Sequence, residues 1–392
     1  MTPLAAATSH LTAPFAAIDL DAFDANASDL ERRAGRLPIR VASKSVRVRE
    51  LLARVLDRAP AAGHGGFRGV MAYSLAEAHW LVAESGHDDV FVAYPSVDAG
   101  ALRALVEDPA AARAITLTID SPGHVDLLGS VLEAAGAGAH APRVALDVDA
   151  SLRVGGAHLG VRRSPLREAS DAAALARLAR ARGLTVVGLM FYDAQIAGLP
   201  DSSRAVRLVK ARSHASLLRR RRAVVEAVGA VADLDFVNGG GTGSLHLTGR
   251  DGALTELAAG SGLLAPTLFD GYDDFTPRPA AFFAAPVVRR PGPGLVTVHS
   301  GGYIASGPPG WSRTPSVHDP AGLEFLRAEG AGEVQTPLRG PAADRLAIGD
   351  RVWFRHAKAG ELFERFDEVH LVAGGQLIET VPTYRGEGRN FG

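Results

Sequence analysis

Between residues 15 and 272, short apolar runs alternate with longer stretches whose apolar residues recur at helical spacing. The runs are Ile39–Lys44, Gly69–Tyr73, Asp89–Pro95, Ile115–Asp120, Arg143–Asp149, Thr185–Tyr192, Asp235–Gly240 and Glu256–Gly262. They are continuously apolar rather than alternating, as strands buried on both faces are. Between them, VRVRELLARVLDRA, SLAEAHWLVAESG and SDAAALARLARARG read as amphipathic helices. Eight strand–helix repeats predict an α/β fold, a TIM (β/α)8 barrel over residues 22–272. A doubly wound open sheet is the alternative, and the count of eight favours the barrel.

The pattern changes after Tyr272. PAAFFAAPVVRR, GLVTVHSGGYIAS, EVQTPL, DRVWFRHA and EVHLVAGGQLIETVPTY are β-like runs punctuated by Pro and Gly, with AGLEFLRAEG the one candidate helix among them. A C-terminal all-β domain is expected over residues 273–392, with GYDDFTPRP at the boundary. Phe15–Leu20 precedes the helical stretch DAFDANASDLERRAG and is a strand the barrel does not need. Residues 15–21 are therefore expected to pair with the C-terminal domain.

Composition narrows the function. Hydrophobic residues at 47% and charged residues at 22% are ordinary for a soluble globular protein, and 392 residues can bury a large core unaided. Net charge is -1, which removes a global electrostatic case for nucleic acid or an acidic membrane as partner. The absence of Cys excludes disulfides, thiolate catalysis and iron–sulfur clusters. No apolar run is long enough to span a bilayer. The start MTPLAAATSHLTAP lacks a basic region followed by an apolar core, so a cytoplasmic protein without a signal peptide is expected. The run Arg219–Arg222 is expected on a solvated helix face.

Basic residues are almost all Arg; the lysines are Lys44, Lys210 and Lys358. Arg stays charged, whereas Lys can lose its proton and become a nucleophile. Lys44 falls at the C-terminal end of the first barrel strand, the end where barrel enzymes place their active sites. A lysine there suits Schiff-base formation. Asn238–Ser244 (NGGGTGS) follows the seventh strand, and Ala259–Gly262 (AGSG) ends the eighth. Such glycines let backbone N–H groups converge on an anion, and barrels commonly bind phosphate at these two loops. A lysine and a phosphate cup at one barrel mouth describe a pyridoxal phosphate site.

The chain resembles the fold-type III pyridoxal-phosphate enzymes, specifically the D-threonine aldolase and D-serine dehydratase group. The resemblance is carried by Asp19-Leu20-Asp21, the Lys44 strand, Val92-Ala93-Tyr94-Pro95, Leu146-Asp147-Val148-Asp149 with Arg153, Gly188-Leu189 with Tyr192, the Gly239–Ser244 loop and Gly260-Ser261. It implies that Lys44 holds the cofactor aldehyde and that Gly240, Gly241, Thr242, Gly260 and Ser261 hold the phosphate. It places Arg153 and Tyr192 against the cofactor ring, and Gln195 near substrate or cofactor. It also implies a homodimer.

In one respect the chain departs from the group. The resemblance implies a metal held by a His-x-Cys or His-x-Asp pair, but the matching segment reads His356-Ala357-Lys358. An ammonium repels a divalent cation and offers no lone pair, so a metal site is doubtful. Lys358 is expected to bind the substrate carboxylate or a developing alkoxide, and His356 to act as base on a β-hydroxyl. The resemblance implies a lyase acting on a β-hydroxy amino acid of D-configuration, by aldol cleavage or by dehydration. The alternatives are a racemase, with Lys44 and Tyr303 as the two acid/base groups, and a non-catalytic cofactor-binding protein.

Overall fold

The computed structural model describes residues 2–201 and 203–392. Eight parallel strands close a barrel: β1 (Ile39–Ala42), β2 (Phe67–Ala72), β3 (Val90–Val92), β4 (Ile115–Ile119), β5 (Arg143–Asp147), β6 (Thr185–Phe191), β7 (Phe236–Gly239) and β8 (Glu256–Ala259). Closure is by β8 on β1, with Leu257 opposite Ile39 and Ala259 opposite Val41. The eight runs read from hydrophobicity are these eight strands, and the barrel followed by a mostly-strand C-terminal part is the architecture expected.

The helices begin where short polar side chains can cap their free N–H groups. Asp19 accepts from Ala22 N, Ser74 from Glu77 N, Asp98 from Ala101 N and Ser121 from His124 N. Ser74 and Ser121 each lie two residues beyond a barrel strand, so they also set where the chain turns back along the barrel.

The barrel interior is packed. Phe91 and Phe236 meet at 5.2 Å between ring centroids, and the Arg40 guanidinium lies 5.2 Å over Phe236. Arg40 is buried and bonded to Glu256 at 2.7 and 2.8 Å and to Asp89 at 2.6 and 3.1 Å, while Asn238 donates to Glu256 at 2.8 Å. A buried ion pair is tolerated only when its remaining hydrogen bonds are met, as here. This plug closes one end and leaves the other as the open mouth.

The C-terminal strands form a nine-stranded sheet. Its centre includes Phe15–Asp19, antiparallel to Ala281–Gly292 and parallel to Glu368–Ala373. The segment AGLEFLRAEG is not helical: Glu324–Phe325 is a short strand paired with Gln335–Arg339, followed by a turn. Two apolar residues flanking Glu324 mimic helical spacing over too short a span to decide. The four-arginine run also differs from expectation at one position. Arg221 is fully buried, ion-paired with Asp251 and 5.1 Å over the Phe191 ring, while Arg219 and Arg222 are exposed. A helix lying on a barrel must turn one residue of any such run inward.

Candidate active site

The barrel mouth opens into a cavity of about 520 Å³. Its wall is built from strand ends and the turns after them, plus Ser306, Arg313, Lys358 and Glu361 from the C-terminal part.

Lys44 stands in a single 3₁₀ turn, Ser43–Ser45, directly after β1. Its side chain is exposed to the cavity rather than packed with the strand, and its Nζ donates to the Tyr94 hydroxyl at 2.6 Å. Tyr94 lies two residues past β3, as Lys44 lies two past β1, which brings both side chains to the same rim. The Arg163 guanidinium lies 5.7 Å over the Tyr94 ring and 5.3 Å over the Tyr192 ring. Burial raises the Tyr94 phenol, but the Lys44 and Arg163 cations outweigh it and leave its pKa below the usual value. Burial raises the Tyr192 phenol.

The Lys44 turn is clamped from behind. Arg47 donates to the Lys44 carbonyl at 3.2 Å and pairs with Glu364. It does so from the left-handed backbone region, at φ +51°, a strained conformation for a side-chain-bearing residue. Tyr384 N reaches the Arg47 carbonyl at 3.0 Å, and the Tyr384 hydroxyl donates to the buried Glu77 at 3.0 Å.

Gly240, Gly241, Thr242, Gly260 and Ser261 all line the same cavity as Lys44. Thr242 Oγ1 and Ser261 Oγ are 3.2 Å apart, and Thr242 Oγ1 accepts from Gly262 N at 3.1 Å. Gly240 has φ +81°, which a side chain would oppose. Ser244 turns inward, accepting from Gly241 N at 3.1 Å and facing Asp193, so it shapes the loop without lining the cavity. Two hydroxyls among small residues, with a lysine on the same wall, fit the phosphate and aldehyde of pyridoxal phosphate.

Other residues named from the sequence lie elsewhere. Arg153 sits on the hairpin Leu152–Val154/Ala157–Leu159 and donates to Asp149 at 2.8 Å; it is not on the cavity wall, and Arg163 is. Gln195 is buried, its Nε2 bonded to the Ala150 carbonyl at 2.7 Å, so it braces a loop. Tyr303 is packed against Phe283 and Phe366, with its hydroxyl 2.5 Å from Ser300 Oγ, and does not line this cavity. His356 is buried behind the wall, and burial pushes its pKa down to about 4. Lys358 reaches the cavity and donates to Ser306 Oγ at 2.9 Å; burial lowers its pKa. The third lysine, Lys210, is buried against Asp201 at 3.0 Å.

Arg163, Ser306 and Arg313 were not singled out from the sequence, and Tyr94 entered only within the Val92–Pro95 run, without a role. A signal existed only for Tyr94, whose offset from its strand matches that of Lys44.

Residues 18–237 match the family model described as alanine racemase, N-terminal domain. The chain is 26% identical over 308 residues to a D-threonine aldolase of Arthrobacter sp, covering 75% of this chain and 72% of that one. Among solved structures it is similar to D-threonine aldolase from Filomicrobium marinum, with a TM-score of 0.78, 23% identity and 95% of both chains covered. It is also similar to D-threo-3-hydroxyaspartate dehydratase from Delftia sp. HT23, with a TM-score of 0.75, 19% identity, and 95% of this chain and 98% of that one covered. With the family model spanning more than half of the chain and a lysine and a phosphate-sized cup sharing one barrel mouth, the chain belongs to the alanine racemase N-terminal domain family of fold-type III pyridoxal-phosphate enzymes.

Proposed function

We propose that the protein is a pyridoxal-phosphate-dependent lyase that cleaves a β-hydroxy amino acid of D-configuration, by aldol cleavage or by dehydration with deamination. The observation that carries this reading is the shared cavity: Lys44 on one part of its wall, the Gly240–Thr242 and Gly260–Ser261 loops on another. The names of the relatives, an aldolase and a dehydratase, support it over racemisation.

When bound, the cofactor supplies an electron-withdrawing ring that stabilises charge developing at the substrate's Cα. The chain does the rest. Thr242, Ser261 and the glycines hold the phosphate, and Lys44 holds the aldehyde. Tyr94, hydrogen-bonded to Lys44 Nζ, accepts or returns the lysine's proton, a role its depressed pKa favours. Arg163 offers a fixed cation beside Tyr94 and Tyr192. Met71, Met190, Ala93 and Ala258 line the cavity with apolar surface that keeps water from the reacting atoms. Lys358 binds the substrate carboxylate by charge.

A divalent metal does not fit the residues present. Lys358 brings a positive charge where the resemblance puts a ligand, and His356 lies behind the wall. The buried His356, low in pKa and off the cavity, is also a poor base for the β-hydroxyl.

A homodimer in the cytoplasm completes the reading; the resemblance supports the dimer. Among the described residues, no helix is long and apolar enough to cross a membrane.

The test is to load the purified protein with pyridoxal phosphate, reduce it with borohydride and map the labelled peptide, expecting the label on Lys44. D-Threonine and D-serine are then offered. Aldehyde release identifies the aldolase, and ammonia with a keto acid the dehydratase. Label elsewhere, or solvent deuterium entering Cα with neither product, overturns the lyase.

A further inference from the structure

The two loops of the phosphate cup rest on one helix, Leu20–Ala34, which joins the Phe15–Asp19 strand to the barrel. Asn26, Leu30 and Arg33 stand at i, i+4 and i+7, so they share one face of that helix. Asn26 Nδ2 donates to the carbonyls of Leu263 at 3.0 Å and Arg278 at 2.7 Å, and Asn26 Oδ1 accepts from Arg278 N at 2.7 Å. Leu30 is buried beside the Gly260–Ser261 loop, where a Cβ added to Gly262 would stand 3.0 Å from Leu30 Cδ2. Arg33 reaches the other loop: its Nη1 donates to the Thr242 carbonyl at 2.6 Å.

Arg33 has little freedom. Its side chain is buried, its Nε donates to Asp29 at 2.8 Å, and its guanidinium lies 4.1 Å over the Phe275 ring. A planar guanidinium fixed by a carboxylate at one edge and a ring on its face presents its remaining N–H groups in a set direction. The carbonyl it grips belongs to the residue that joins the two loops, since Thr242 Oγ1 lies 3.2 Å from Ser261 Oγ and accepts from Gly262 N at 3.1 Å. Gly240, Gly241, Thr242, Gly260 and Ser261 carry no charge. They can hold a phosphate only through accurately placed hydroxyls and N–H groups. Release of the Thr242 carbonyl would let its planar peptide turn, and the groups on either side would turn with it.

We propose that Arg33 is a positioning residue for the cofactor's phosphate. It stands off the cavity wall and sets the Thr242 loop from behind, so that the cup selects phosphorylated pyridoxal over the free form. This rests on the cofactor part of the reading above and is independent of which reaction follows. Arg32, next in the chain, supplies the comparison: it pairs with the same Asp29 but is exposed to solvent.

The experiment titrates the cofactor-stripped full chain with pyridoxal phosphate and with pyridoxal, following the visible cofactor band. The unmutated protein should prefer pyridoxal phosphate by about 100-fold or more, the worth of two charge-assisted hydrogen bonds. Arg33→Met should cut that preference roughly tenfold, one such bond, through weaker binding of pyridoxal phosphate alone. Arg33→Lys, which still offers a donor, should recover part of it. Arg32→Met removes an equal charge from the same helix turn and should leave the preference unchanged. An equal loss of both ligands in Arg33→Met is what a merely structural role produces, and it overturns the proposal. So does an unchanged preference in Arg33→Met, or a drop in Arg32→Met as large as in Arg33→Met. If Arg33→Met does not fold, Arg33→Gln is read by the same ratios. An unmutated protein that binds neither ligand, or both alike, fails the phosphate cup itself and the role of Arg33 with it.

Discussion

The carbonyl oxygen of Lys44 occupies the space that a side chain on Gly360 would need. Gly360 also has φ +92°, in the region that favours glycine. The lysine turn of the barrel and the C-terminal part are thus in direct backbone contact at the active site. Gly360→Ala is expected to lower stability by about 1–3 kcal/mol, the usual cost of such a clash and strain. It should also weaken cofactor binding, because relief of the clash requires the Lys44 turn to move. Thermal unfolding and a cofactor titration on the same variant measure both.

Tyr94 should titrate below the ordinary tyrosine value of about 10. Neighbouring cations favour the phenolate, so removing one must raise the pKa. An alkaline ultraviolet difference titration should show one early phenolate, absent in Tyr94→Phe and shifted upward in Arg163→Met. If Tyr94 relays the lysine's proton, Tyr94→Phe lowers kcat by roughly 10²-fold, at the lower end of general acid–base effects.

Glu77 gives the fold a pH dependence of definite sign. Burial raises its carboxyl to about 7. As pH rises from its ordinary value of about 4.3, the unfolded chain loses the proton first and the folded chain keeps it. The contribution is therefore complete below the ordinary value and is lost as pH climbs to about 7. Its size is on the order of 3 kcal/mol. Asp147, raised to about 7 by burial and by Asp120, and Asp193, raised to about 6 by burial, act with the same sign. Urea unfolding at pH 5 and pH 7.5 should show lower stability at the higher pH, with the difference reduced in Glu77→Gln.

Turnover should be indifferent to chelators, since Lys358 brings fixed charge to the position where the resemblance has a metal ligand. Lys358→Met should raise KM about 10–100-fold by removing a charge-assisted contact worth roughly 1.5–3 kcal/mol. Lys358→His, which restores a lone pair, should not recover activity without added metal. Steady-state kinetics with and without chelator, and with added divalent metal, measure these effects.

Much of this was legible in the chain itself. Continuous apolar runs mark strands buried on both faces, so the barrel showed in the pattern. Lys44 and the two glycine-rich loops showed because their chemistry depends on residue type and on position at a strand end. Arg163 did not. It follows a hairpin whose register with the mouth depends on tertiary packing, and Arg153 carries the same charge ten positions earlier. His356 shows the same limit: its segment matched a motif, but only packing decides that its ring turns behind the wall. Arg313 sits in a loop without periodicity, where nothing local distinguishes it from a surface arginine.

The strand Phe15–Asp19, made near the start of synthesis, lies between Ala281–Gly292 and Glu368–Ala373. Among the described residues it is the sole bridge between the terminal hairpin, Glu368–Ala373 with Gln376–Pro382, and the rest of that sheet. On the ribosome the barrel has all its strands before this strand has either neighbour, Ala281–Gly292 following soon after and Glu368–Ala373 much later. The wall bearing Lys358 and Arg313 follows the barrel in synthesis as well. The nascent chain can therefore assemble the glycine-loop side of the cavity before it can assemble the wall proposed to contact the substrate.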